Sequence, residues 1–73
     1  MKIYITFGFD HIHLVNEKIL DKDTVAEIDC VDYKEGRKKA FKYFENRFAT
    51  SYTKEHIDKL MHWFPNGIVK IEE

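Results

Sequence analysis

The sequence predicts a single α+β domain: a small, mainly antiparallel sheet of three to four strands with two helices packed on one face. Three observations lead there. Ile3, Ile5, Phe7 and Phe9 alternate with Tyr4, Thr6 and Gly8, the period-two pattern of a strand with one apolar face. Ala26, Ile28 and Cys30 repeat that alternation inside Thr24–Val31. From Tyr33 onward the apolar spacing changes to that of a helix.

Each element has its own warrant. Lys2–Phe9 is the first strand. His11–Val15 and Lys18–Leu20 flank Asn16-Glu17 and predict a small hairpin, with Glu17 where Gly is favoured. A two-residue loop sets His13 opposite Leu20 and His11 opposite Lys22. These four and Val15 then share one side, with Ile12 and Leu14 on the other. In the strand Thr24–Val31, Glu27 and Asp29 face outward and discourage edge-to-edge pairing. Asp32 caps a helix and Glu35 stands three positions on, close to a capping box. That helix runs to about Arg47 with a core stripe of Tyr33, Arg37, Ala40, Phe41, Phe44 and Phe48. Phe48–Tyr52 is an extended link fit for an edge strand. Thr53 caps a second helix that turns Ile57, Leu60, Met61 and Phe64 inward, and Pro65-Asn66-Gly67 ends it. Ile68–Ile71 is the last strand.

Seventy-three residues make one domain, and a chain this short buries only about 60–65% of its unfolded surface. Cys30 is the only cysteine, so an internal disulfide is excluded and a reducing compartment suits it. Eleven aromatic residues supply large buried area, so rich packing and self-association are expected to stabilise the fold. The sheet face around Tyr4, Thr6 and Ile68 is apolar enough to call for cover by a second copy, which predicts a homo-oligomer. No apolar run spans a membrane and no signal-peptide pattern opens the chain, so a soluble, intracellular protein without a membrane partner is expected.

The net charge of −1 argues against binding duplex nucleic acid. Its distribution is uneven. Residues 1–32 hold three Lys against seven Asp or Glu, and Lys34–Arg47 holds six basic residues against two acidic ones. Lys34, Lys38 and Lys42 form a stripe at i, i+4 that is either a solvated helix face or an anion site. Tyr33, Tyr43, Tyr52 and Trp63 offer ring faces for a base beside it. Trp63 lies about 100° off the second helix's core stripe, which suits an exposed anchor as well as packing over the last strand.

Asp10, His11 and His13 raise a metal reading, because His-x-His on a strand presents both imidazoles on one side. Asp10 or Asp23 would supply a third ligand. The plainer reading is a polar hairpin whose His side chains hydrogen-bond, and it carries more weight. Cys30 sits among inward positions, Ser51 lacks nucleophile-elbow glycines, and Gly8 is one glycine in a strand rather than a phosphate loop. No catalytic residue is therefore assigned and no cofactor is expected.

Tyr4-Ile5-Thr6-Phe7-Gly8, Asp10-His11-x-His13, Asp21-Lys22-Asp23, Asp32-Tyr33-x-Glu35, Ala40-Phe41, Tyr52-Thr53-x-Glu55-His56 and Phe64-Pro65-x-Gly67 follow one another along the chain. In that order they resemble a family of short accessory proteins of tailed bacteriophages, to which no settled activity attaches. Relatives in that family tend to carry Gly where Glu17 stands. The resemblance implies a viral protein of the host cytoplasm that binds and disables a host component, as inhibitors of CRISPR effectors and oligomeric sponges for nucleotide signals do.

Residues and resemblance together predict a non-enzymatic binding protein that sequesters a small anionic nucleotide in a homo-oligomer. Lys34, Arg37, Lys38 or Arg47 would meet phosphate; Tyr4, Tyr43 or Trp63 would stack on the base; Asp10, His11 and His13 would border the ligand, the two His by hydrogen bonding. Two alternatives stand beside it. One is an acidic inhibitor of a host defence protein, using Asp10, Glu17, Asp21, Asp23, Glu27 and Asp29. The other is a metal-dependent hydrolase using His11 and His13.

Overall fold

The computed structural model describes residues 1–15 and 17–71. The chain forms β1 (Lys2–Thr6), β2 (His13–Val15), β3 (Lys18–Leu20), β4 (Val25–Asp29), α1 (Tyr33–Phe44), β5 (Thr50–Tyr52), α2 (Lys54–Leu60) and β6 (Ile68–Lys70), with a 3₁₀ turn over Met61–Trp63. The fold is α+β. Four strands build one sheet in the order β5-β1-β4-β6, and β2 and β3 pair as a separate hairpin. β1 runs antiparallel to β4 and β5, whereas β4 and β6 are parallel.

Side-chain alternation gives the sheet two buried faces. Ile3 and Ile5 of β1, Ala26 and Ile28 of β4, and Ile71 just past β6 pack with Ala40 and Phe44 of α1. Tyr4 and Val25 point the other way and pack with Ile57 of α2, joined by Met61, Phe64 and Tyr52. The helices therefore lie on opposite faces of the sheet, not together on one. The reason lies in the residues between the apolar ones. Tyr4 is only 2% exposed and Thr6 is buried, because α2 covers them within the same chain. Cover by a second copy is not needed there, although Ile68 at the edge stays exposed.

Two glycines earn their places. Gly8 has φ +66°, a left-handed conformation that costs a side-chain-bearing residue about 1–2 kcal/mol. It ends β1 at Thr6 and turns the chain, so Phe7 enters the core but Phe9, expected inward, is left in solvent. Gly36 lies in α1 against β1, and a Cβ there would sit 2.7 Å from Ile3 Cδ1 and 2.9 Å from Cys30 Sγ.

Asp32 caps α1 through its carboxylate, which accepts from the Glu35 N–H at 2.8 Å. The Glu35 carboxylate reaches back to the Val31 N–H at 2.9 Å, one residue earlier than in a standard capping box. The buried stripe of α1 is Gly36, Ala40 and Phe44, with Tyr33 and Tyr43 beside it. Phe41 and Arg37, expected in the stripe, are exposed and touch each other, the guanidinium 5.8 Å from the ring centre. Thr53 stands at the start of α2, but its side chain makes no capping bond.

The hairpin has the expected register: His13 opposite Leu20, Leu14 opposite Ile19 and Val15 opposite Lys18. Its inner side enters the core through Leu20, with Val15 alongside. Asn16 of the hairpin loop lies outside the described residues. Glu17 has φ +67°, in keeping with the expectation that Gly suits this position.

Candidate functional site

The end of β1, the turn after it, β5 and the end of α2 enclose an open cleft of about 450 Å³. Four aromatic rings line it: Phe9, Tyr52, Trp63 and Phe64. Thr6, Thr50, Lys22 and Asp23 supply its polar lining, and Gly8 and Ala49 complete it. The local folding explains each. Gly8 throws Phe9 outward. The antiparallel pairing of Thr6 with Thr50 and of Tyr4 with Tyr52 puts Thr6, Thr50 and Tyr52 on the α2 side of the sheet. The 3₁₀ turn after α2 swings Trp63 off the helix's buried side, so that Phe64 packs inward while Trp63 does not.

Phe9 is 86% exposed and Trp63 67% exposed, and both border the same cavity. Two ring faces are thereby left open to solvent on one cavity. Lys22 pairs with Asp23 at 3.1 Å, so the cleft's cation is held beside a carboxylate. The Asp23 backbone carbonyl accepts from the Asn66 N–H at 3.0 Å, which ties the Lys22–Asp23 turn to the segment after Trp63. A second cleft, of about 440 Å³, is lined by Met1, Lys2, Thr53, Lys54 and Glu55. It has no ring, and its two lysines already pair with Glu27 and Asp58.

Of the rings expected to offer a face to a base, Trp63 and Tyr52 reach the aromatic cleft, and none of the expected phosphate or hydrogen-bonding partners does. Tyr4 is buried under α2, where burial and the neighbouring Glu27 carboxylate push its phenol above the ordinary value, so it cannot stack on a ligand. Lys34, Arg37 and Lys38 lie on α1, which covers the sheet face opposite to the cleft. Arg37 donates to Ser51 Oγ at 3.1 Å, and Tyr33 Oη lies 2.7 Å from that same hydroxyl. Tyr43 packs against Phe44 with the Lys42 ammonium over its ring. Arg47 is exposed, and its backbone carbonyl accepts a hydrogen bond from His13 Nε2 at 2.7 Å. Asp10 is exposed on the turn after Gly8, with the half-buried His11 next to it.

The His13 ring is wedged between Phe7 and Phe44, with centroids 5.5 and 4.9 Å away. Its Nε2 is engaged with a carbonyl, so it is a packing and hydrogen-bonding residue. Among the described residues no group of three or more His, Cys, Asp or Glu side chains is placed to hold a metal ion. Cys30 is buried, and burial raises its thiol pKa above the ordinary value. Its Sγ donates toward the Met1 carbonyl at 3.5 Å.

Sequence reasoning missed Phe9, Lys22, Thr50 and Phe64 as neighbours of Trp63. One signal was available. Gly8 directly before an aromatic residue can mark a turn that ejects that ring as readily as a strand that buries it.

No protein-family model, curated protein or solved structure matches this chain. Among the described residues no helix is long and apolar enough to cross a membrane.

Proposed function

We propose that this chain is a non-enzymatic binding protein whose aromatic cleft sequesters a small anionic nucleotide. The observation that carries the reading is the pair of exposed rings, Phe9 and Trp63, on one cavity with Lys22. A volume near 450 Å³ lies in the range of small-ligand sites, which are mostly apolar with a few placed polar groups. Ring stacking on a base is worth about 1–3 kcal/mol. Lys22 is the phosphate partner in this reading, in place of the α1 cations, and the Thr50 hydroxyl meets the polar edge of the ligand.

The resemblance to phage accessory proteins supplies the setting: a host cytoplasm in which a homo-oligomer withdraws a nucleotide immune signal. The alternative of an acidic inhibitor that imitates nucleic acid is weaker. Glu27, Asp29 and Asp23 are paired with Lys2, Lys70 and Lys22, which neutralises much of the acidic surface it needs.

The test is a thermal melt with a panel of nucleoside monophosphates and dinucleotides, followed by mass spectrometry of the recovered ligand. A ligand at about 100 times its Kd stabilises the fold by about 2.7 kcal/mol. In a domain of this size that raises Tm by roughly 10–20 °C. Trp63 is the only tryptophan, so its fluorescence reports binding directly. Trp63→Ala and Phe9→Ala, both at exposed positions, are expected to fold and to lose the shift. Absence of a shift with every nucleotide, or recovery of a chemically altered ligand, overturns the proposal.

A further inference from the structure

The outer face of α1 carries charge that the rest of the chain does not neutralise. Lys2, Lys22, Lys39, Lys54 and Lys70 each pair with a carboxylate. Among the described residues Lys34, Arg37 and Lys38 pair with none, and all three are exposed. Lys34, Lys38 and Phe41 stand at i, i+4 and i+7 and share one side of the helix, with Arg37 one turn before Phe41. Phe41 is 46% exposed, although α1 has its buried stripe without it. Phe48, packed against the core, meets the Phe41 ring edge-on at 5.2 Å. The Arg37 guanidinium, 5.8 Å from the same ring centre, donates to Ser51 Oγ at 3.1 Å and keeps its other N–H groups for a ligand.

We infer that this face is a second binding site, on the opposite side of the sheet from the cleft, and that its ligand is single-stranded nucleic acid. Charge complementarity carries the choice. Lys34 and Lys38 lie about 6 Å apart along the helix axis, close to the step between phosphates of an extended strand. An aromatic ring and a guanidinium plane are the two surfaces on which an unpaired base stacks. A duplex hides its base faces and has only the cations to use. A lipid surface fits less well. The apolar stripe of α1 is spent on its own sheet, which leaves one ring outside, too little for a helix lying in a membrane interface. A flat anionic surface would also press on Asp32 and Glu45, exposed at the two ends of the helix. A narrow strand crossing the middle meets neither. Glu35 is turned to Lys39 at 3.6 Å, and Lys42 leans onto the Tyr43 ring.

Fluorescence anisotropy of a labelled oligothymidylate of about 16 nucleotides tests it. The expected result is a Kd of roughly 100 μM or tighter at low salt. The logarithm of the affinity should fall against that of salt concentration with a slope of about −2, roughly 0.7 for each of three phosphates met by Lys34, Arg37 and Lys38. Lys34→Gln together with Lys38→Gln is expected to flatten the slope to about −0.7. Phe41→Ala is expected to weaken binding at least about fivefold and to leave the slope unchanged, its melting curve confirming the fold. A duplex of the same length bound as tightly, phosphatidylglycerol vesicles bound in place of the oligonucleotide, or an affinity indifferent to Phe41→Ala and to the lysine pair overturns the inference. So does loss of binding in Trp63→Ala with the double lysine variant unaffected, which would put the strand in the cleft. A mononucleotide that fails to shift the melt counts against the cleft reading alone.

Discussion

His13 Nε2 lies 2.7 Å from the Arg47 carbonyl oxygen. The carbonyl only accepts, so the proton resides on Nε2 and the ring donates. The bond fastens the hairpin to the chain just beyond α1, while the ring fills the space beside Phe7 and Phe44. His13→Ala removes both the donor and the packing and is expected to lower the unfolding free energy by about 2 kcal/mol. Urea denaturation measures it. His13→Gln keeps a donor of similar reach, so its loss should be clearly smaller; equal losses would mean that the bond contributes nothing.

Gly36→Ala sets two principles against each other. Helix propensity favours Ala by about 1 kcal/mol. The new methyl, however, would stand 2.7 to 2.9 Å from Ile3 and Cys30, both buried. Overpacking of that kind typically costs about 1–3 kcal/mol, so net destabilisation is expected. Adding Ile3→Val deletes the nearest atom, and a double-mutant cycle should show the two changes to be coupled. Additive effects would place the strain elsewhere.

Glu17 holds φ +67° with a side chain attached. Glu17→Gly is expected to stabilise the protein by about 0.5–1 kcal/mol, the gain from relieved strain exceeding the greater freedom of Gly in the unfolded chain. A rise in the urea midpoint with unchanged slope would show it. A fall would mean that the hairpin tip relaxes without help.

Much of this architecture is legible in the sequence, because burial on a strand repeats every second residue. Ile3 and Ile5, and likewise Ala26 and Ile28, announce their sheet face in that way, and Asp32 with Glu35 announces the start of α1. The separation of the helices is harder to read. Tyr4 and Thr6 are ambiguous side chains that suit either solvent or a second layer, and only the packing of Ile57 on Tyr4 decides. The cleft is harder still. It joins Phe9, Lys22, Thr50 and Trp63, drawn from four separate stretches of chain, through a turn at Gly8 that a strand pattern hides.

Alkaline pH should weaken the fold in a defined order. Burial raises the pKa of the Cys30 thiol and of the Tyr4 phenol above their ordinary values of 9.0 and 10.0. Both groups are neutral when protonated, so the folded state holds its protons longer than the unfolded one. Their contribution is complete below about pH 9 and is lost as pH rises from there through the folded values. Stability measured from pH 8 to 11 should therefore decline, and Cys30→Ala should delay its onset. The native thiol should also react slowly with a thiol reagent at pH 8 and quickly in urea. Rapid labelling of the native protein would contradict the burial.

The parallel pairing of β6 with β4 has a consequence for how the chain acquires its structure. β1 is the first strand made, yet its partners are β4 and β5, and β4 finds its outer neighbour only when Ile68–Lys70 is present. Every pairing in the four-stranded sheet joins distant stretches of chain, so contact order is high for so small a molecule and folding belongs in the millisecond-to-second range. During synthesis the outer edge of β4 stays bare while the ribosome completes the helices. Residues 2–70 must all have left the exit tunnel before the four-stranded sheet can close.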